Sequence, residues 1–153
     1  MITSETFDFI VGSLGVNPTI DLFASRINNK LPCFASYRPD PDAEFINAFS
    51  FSWSDMCFYA FPPFICIDKV LQKIMKDRAT GILIVPDWPN QPWYNRYMEL
   101  IVDELILFPR EELLVLPTDT SSKHPLHQTL TLRAGLIDPR FLTEIDLYPQ
   151  THQ

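Results

Sequence analysis

Residues 54–64 constrain the fold more than any other stretch of the chain. The run Asp55, Met56, Cys57, Phe58, Tyr59, Ala60 leads into Phe61-Pro62-Pro63-Phe64. A nearly unbroken apolar run of this length is the pattern of a strand buried on both faces. The two prolines then stop it, because neither donates to a ladder and both hold the backbone extended. A helix-like segment follows at once. A central strand ending in a stiff, exposed turn is where open α/β sheets place their ligands.

The flanking segments fit that arrangement. Residues 4–14 read as a short amphipathic helix with Phe7, Ile10, Val11 and Leu14 on one stripe and Gly15 placed to end it. Residues 19–24 read as a buried strand ending at Ser25, and residues 33–37 as a second, shorter one. The loop 38–42 is stiffened by Pro39 and Pro41. The aromatic segment 45–53 could wrap over an edge of the core. Residues 65–78 form a helix whose stripe is Ile67, Val70, Leu71 and Ile74, with Lys69, Lys73 and Lys76 on another face. Residues 80–85 are a strongly apolar strand ended by Pro86, and residues 97–102 have helical character. Residues 105–108 and 113–116, separated by Pro109-Arg110-Glu111-Glu112, read as a closing hairpin. The alternation of strand and helix predicts an α/β fold with a mostly parallel sheet and a terminal antiparallel hairpin. Residues 1–117 would hold this domain. Residues 118–153 read as a linker, one helix over 125–137 and a tail.

Composition bounds the partners. The 153 residues suffice for one full core, and 46% hydrophobic content argues against disorder. No apolar run reaches bilayer length and the N-terminus has no leader pattern, so a membrane protein is not expected. Cys33, Cys57 and Cys66 suggest no disulfide framework, which favours a reducing, intracellular setting. The net charge of −7 opposes autonomous tight binding to nucleic acid, which needs a basic face to displace counterions. DNA or RNA would then be bound weakly, through a local patch or with help from neighbouring domains.

Five groups stand out as sites, each with a plainer explanation beside it. Asp21, at the head of Leu22, Phe23, Ala24 and Ser25, could bind a polar part of a cofactor at the first strand, or could cap the next helix. Phe61, Pro62, Pro63 and Phe64 could form a rigid wall on which a flat ligand stacks at Phe64, or a packed turn. Trp88, Trp93 and Tyr94 could stack on bases, or could be core. Lys69, Lys73 and Lys76, with Arg26 and Lys30, could follow a phosphate backbone, or form a solvated surface. His124 and His127 flank Pro125 with no carboxylate or cysteine partner evident nearby, so no metal is expected. A glycine-rich phosphate loop is absent from the sequence.

These residues also carry a resemblance. Ile20-Asp21-Leu22-Phe23-Ala24-Ser25-Arg26, Lys30-Leu31-Pro32, Arg38-Pro39-Asp40-Pro41, Tyr59-Ala60-Phe61-Pro62-Pro63-Phe64, Ile82-Leu83-Ile84-Val85-Pro86-Asp87-Trp88-Pro89, Gln91-Pro92-Trp93 and His124-Pro125-Leu126-His127 occur in consistent order. Together they resemble the region after the RNase H domain in Pol-like polyproteins of DIRS-type tyrosine-recombinase retrotransposons. That region is similar in turn to DNA N6-adenine methyltransferases of the phage Dam-like group. The resemblance implies a Rossmann-like, class I methyltransferase fold with S-adenosylmethionine as cofactor. Its partners would be nucleic acid and the reverse transcriptase, RNase H and recombinase regions of the parent element. It implies that Asp21, Phe23, Ala24 and Ser25 hold the cofactor. Phe61, Pro62, Pro63 and Phe64 would match the [Asp/Asn]-Pro-Pro-[Tyr/Phe/Trp] catalytic motif, and the 105–116 hairpin the reversed strand of such sheets. The first motif residue accepts a hydrogen bond from the adenine amino group, and the last stacks on the flipped base. Phe61 has no acceptor, so adenine methylation is expected to be weak or absent. The alternative is a non-catalytic nucleic-acid-binding or interaction module.

Overall fold

A computed structural model describes residues 2–24, 30–31, 34–36, 43, 45–108, 115–116, 119–123 and 130–139. Helix α1 (Ser4–Leu14) starts where the Thr3 hydroxyl accepts from the Thr6 backbone N–H, and Gly15 ends it in the left-handed conformation at φ 70°. The chain then enters β1 (Ile20–Ala24), β2 (Phe34–Ser36) and β3 (Phe45–Ile46). A 3-10 turn, Ala48–Ser50, leads to β4 (Cys57–Ala60). After Pro62-Pro63, a second 3-10 turn, Phe64–Cys66, feeds α2 (Ile67–Asp77). Strand β5 (Thr80–Pro86), helix α3 (Tyr94–Leu100) and strand β6 (Ile101–Leu107) follow. Strands β7 (Val115–Leu116) and β8 (Asp119–Lys123) pair with each other, and β9 (Leu132–Ile137) comes last.

Among the described residues, seven strands form one sheet in the order β3-β2-β1-β4-β5-β9-β6. The pairs β1–β2, β2–β3, β1–β4 and β4–β5 are parallel, whereas β9 runs antiparallel to both β5 and β6. The chain builds outward from β1 through β2 to β3, then resumes on the other side of β1 with β4 and β5. The order therefore reverses between β1 and β4, the position at which open α/β sheets form a crevice at the strands' carboxyl ends.

Strand alternation sorts side chains into two cores. Ile20, Leu22, Phe58, Ala60, Leu83 and Val85 face the side covered by α2 and α3, where Ile67, Val70, Leu71, Ile74, Tyr97 and Leu100 meet them. Tyr59, Ile82, Ile84, Leu132 and Ala134 face the other side, under Phe7, Ile10 and Leu14 of α1. A parallel strand buried on both faces reads as an unbroken apolar run, which is why β4 and β5 stand out in the sequence. Gly81 lacks a side chain for a physical reason: a Cβ there would run into the Phe58 backbone and ring of the neighbouring strand. Trp53 closes the first core. Its indole N–H donates to the Ala48 carbonyl at 2.8 Å, and its backbone N–H to Asp77 at 2.9 Å.

Four expectations differ from the structure. Residues 119–123, expected in a linker, form strand β8. Among the described residues, the antiparallel partner of strand β6 is β9 rather than residues 115–116, which as β7 pair with β8. Residues 132–137, expected at the end of a helix, form that reversed strand, because it is held by ladders on both edges, to β5 and β6. The sheet consequently takes in residues beyond 117. Helix α3 starts at Tyr94 and ends at Leu100, where Ile101 already pairs with Ile137, so residues 101 and 102 are strand rather than helix. The loop 38–42, His124, His127 and the tail after 139 lie outside the described residues.

Candidate functional site

Phe61, Pro62, Pro63 and Phe64 sit at the carboxyl end of β4, on the β1 side of which the sheet order reverses. Pro62 is buried and Pro63 exposed, with Pro63 in an extended conformation at φ −52° and ψ 140°. The Pro63 carbonyl accepts from the Cys66 N–H at 2.9 Å, so the turn converts directly into the lead-in to α2. Phe61 and Phe64 are half-buried, with ring centroids 6.3 Å apart. Phe61 packs on the α1 side of the sheet, whereas Phe64 touches both cores. Ile65 stands 95% exposed at the rim.

Trp88 joins this wall from the end of β5. Its ring lies edge to face on Phe64 at 5.0 Å, and it remains 39% exposed. Edge-to-face contact leaves part of each ring open, so Phe61, Phe64 and Trp88 present an aromatic surface at the ends of two adjacent strands. Trp93 takes a different place. It is 6% exposed, belongs to the first core, and lines a groove of about 510 Å³ between α2 and α3 with Leu71 and Met75.

The carboxyl end of β1 lies beside that of β4. Phe23 and Ala24 are half-buried there, with Phe23 5.7 Å from Phe49 in an edge-to-face contact. The β1–β2 register shifts between Asp21 and Ala24, an irregularity of the kind that re-aims a strand end beside a site. Asp21 itself is lower in the strand, level with Tyr59, and only 3% exposed. Its neighbours Ile20 and Leu22 face α2, so its carboxyl faces the α1 side, where Oδ2 accepts from the Lys30 backbone N–H at 2.8 Å. Burial pushes its pKa up to about 6, against the opposing pull of the Lys30 and Phe23 N–H groups and the Lys30 charge. The Lys30 amine is lowered by burial in turn. Asp21 thereby anchors the far end of the segment that follows β1. Ser25 and Arg26 lie outside the described residues.

The three lysines of α2 differ in their contacts. Lys73 pairs with Asp77 at 2.9 Å and lies over the Trp53 ring, and Lys69 sits over Phe49 at 4.3 Å. Lys76 is exposed and lines the α2–α3 groove beside Asp68 and Glu99.

One polar cluster escaped the sequence reading. Arg133 of β9 donates from Nε to Asp87 at 2.8 Å and from a terminal nitrogen to Glu104 of β6 at 2.5 Å. The Tyr94 hydroxyl donates to the same Asp87 oxygen at 3.0 Å, and the guanidinium lies 5.5 Å from the Tyr94 ring centre. The hydrogen bond from Arg133 holds the Asp87 carboxyl below its usual range. Tyr97 donates to the other Glu104 oxygen at 3.5 Å and lies across Gly135, where a Cβ would collide with its hydroxyl. The available signal was an arginine inside the otherwise apolar 132–137 run.

The sequence was compared with protein-family models and with curated proteins, and it matches none of them. No group of three or more His, Cys, Asp or Glu residues suited to a metal occurs among the described residues. Nor is any described helix long and apolar enough to cross a membrane.

Proposed function

We propose that this chain is a methyltransferase-like domain of a retroelement polyprotein whose site binds S-adenosylmethionine and an unpaired nucleic-acid base, with weak or no methyl transfer to adenine. One observation carries the reading. The motif-like Phe61-Pro62-Pro63-Phe64 turn leaves β4 beside β1, where the sheet order reverses, and a reversed strand lies near the far edge of that sheet. A reversed strand is also what the resemblance implies for class I methyltransferase sheets.

The described residues suit the cofactor in chemical kind. S-adenosylmethionine joins a flat purine to a cationic sulfonium, and both are attracted to aromatic faces. Phe23 and Ala24 would hold it at the end of β1, and it would supply the methyl group. Asp21 would act indirectly, by fixing Lys30 and so the segment between. On the other side, Phe64 offers its ring to a base, with Trp88 as a second aromatic contact. The Pro62-Pro63 backbone keeps that ring in place without an entropic cost on binding. Phe61 offers no acceptor to an adenine amino group, so a bound base would be held by stacking, which is tolerant of sequence.

The same apolar character of Phe61 favours a second reading, a nucleic-acid-binding module without catalysis. The Phe61→Asn variant separates them. If the scaffold is a methyltransferase lacking one contact, this variant transfers radiolabelled methyl groups to adenine in single-stranded DNA faster than the wild-type chain. A variant that binds cofactor and DNA yet transfers nothing would leave the binding module.

A further inference from the structure

Asp87, the residue before Trp88, is tied to the body of the sheet more heavily than a turn residue needs. Its backbone N–H donates to the Thr131 carbonyl at 2.9 Å, and one carboxyl oxygen accepts from both Arg133 and Tyr94. Arg133 is held in turn by Glu104, so the residue following β5 is joined to strands β9 and β6 in one ionic cluster. Beyond Asp87 the chain runs through consecutive turns. Trp88 N–H donates to Pro86, Gln91 N–H to Trp88, and Tyr94 N–H to Gln91. Trp88 therefore leaves the sheet from a pinned residue and meets Phe64 at its first side chain.

We propose that Arg133 is a positioning residue of the aromatic site: through Asp87 and Tyr94 it holds the turn that sets the Trp88 ring against Phe64. A charge-assisted pair fixes direction as well as distance, which a packed turn of small polar residues does not. Glu104 holds the guanidinium in place so that its Nε stays aimed at Asp87. The inference rests on the functional reading only for the ligand, since the lock itself is a property of the free chain.

Tryptophan emission reads the lock directly. Of the three tryptophans, Trp53 and Trp93 are buried, so acrylamide reaches Trp88, and a Trp88→Phe chain assigns its share of the signal. In Arg133→Met and in Asp87→Ala, the Trp88 emission should move to the red and become more open to acrylamide, well below the unfolding temperature. Arg133→Lys should recover part of the wild-type signal. Both disrupting variants should also bind a single-stranded deoxyadenosine oligonucleotide about tenfold more weakly, a loss of ~1.4 kcal/mol. If Arg133→Met does not fold, Asp87→Ala carries the test, because it leaves the Arg133–Glu104 pair in place. Unchanged Trp88 emission and quenching in a folded variant would overturn the proposal. If the wild-type chain takes up neither oligonucleotide nor cofactor, the functional reading fails while the tryptophan signal still decides the lock.

Discussion

Asp21 faces away from the end of its own strand yet is tied to the segment that follows it. Its carboxyl is buried, and a single described contact, the Lys30 backbone N–H, connects it to the segment after β1. Its folded-state pKa of about 6 lies above the ordinary 3.8. Between those values the folded chain holds a proton that the unfolded chain has released. Stability therefore rises as pH falls from about 6 towards 4, and the ionised carboxyl costs on the order of 3 kcal/mol at neutral pH. The Asp21→Asn variant should lose this pH dependence, which urea unfolding at pH 4.5 and pH 7.5 would register. Equal slopes in the two chains would mean that Asp21 is better solvated than its burial indicates. Phe61 is the opposite case. It is legible from sequence alone, because the two prolines after it fix where β4 ends and which residue stands first in the turn. Asp21 was legible as an acid in an apolar strand, but its level in the strand and its inward direction depend on the register with Tyr59.

Among the elements, β9 carries the largest difference between sequence pattern and structure. Strands β4 and β5 announce themselves through unbroken apolar runs, since both faces of a parallel strand are covered. Strand β9 is equally central but contains Arg133 and Gly135, which lower its strand signal. Both residues are explained only by distant neighbours. Arg133 answers Asp87 and Glu104, which are 46 and 29 residues away, and Gly135 leaves room for Tyr97. A Gly135→Ala change should cost about 1–3 kcal/mol in denaturant unfolding, because the tyrosine ring would have to leave its place against the sheet. A Tyr97→Phe background should relieve part of that cost, since the hydroxyl is the nearest atom to the added methyl. No relief would place the conflict at Ile101, the next neighbour. Helix α2 was legible because its stripe of Ile67, Val70, Leu71 and Ile74 follows a helical period, though not the 3-10 turn that takes up residues 65 and 66, nor the use of Lys69 and Lys73. Their amines lie over Phe49 and Trp53, which no spacing within α2 reveals.

At the scale of the whole molecule, the reversed strand ties the far end of the described chain into the sheet. Strand β9 lies between β5 and β6, so removing it separates β6 from the rest and uncovers both edges. A chain ending at residue 117 should therefore lack cooperative unfolding and near-ultraviolet circular dichroism, whereas one ending at residue 139 should keep both. A cooperative 1–117 fragment would show that the parallel half folds without β9. The same topology places the ends of β1 and β4 side by side at the reversal of strand order, and the functional reading depends on a cofactor binding there. Titration calorimetry with S-adenosylmethionine on the full chain tests it most directly. The account predicts saturable binding at one site per chain that is weakened by Ala24→Trp, which fills the end of β1, while the variant stays folded. An absence of binding heat at millimolar cofactor across several temperatures, with the chain folded throughout, would contradict it.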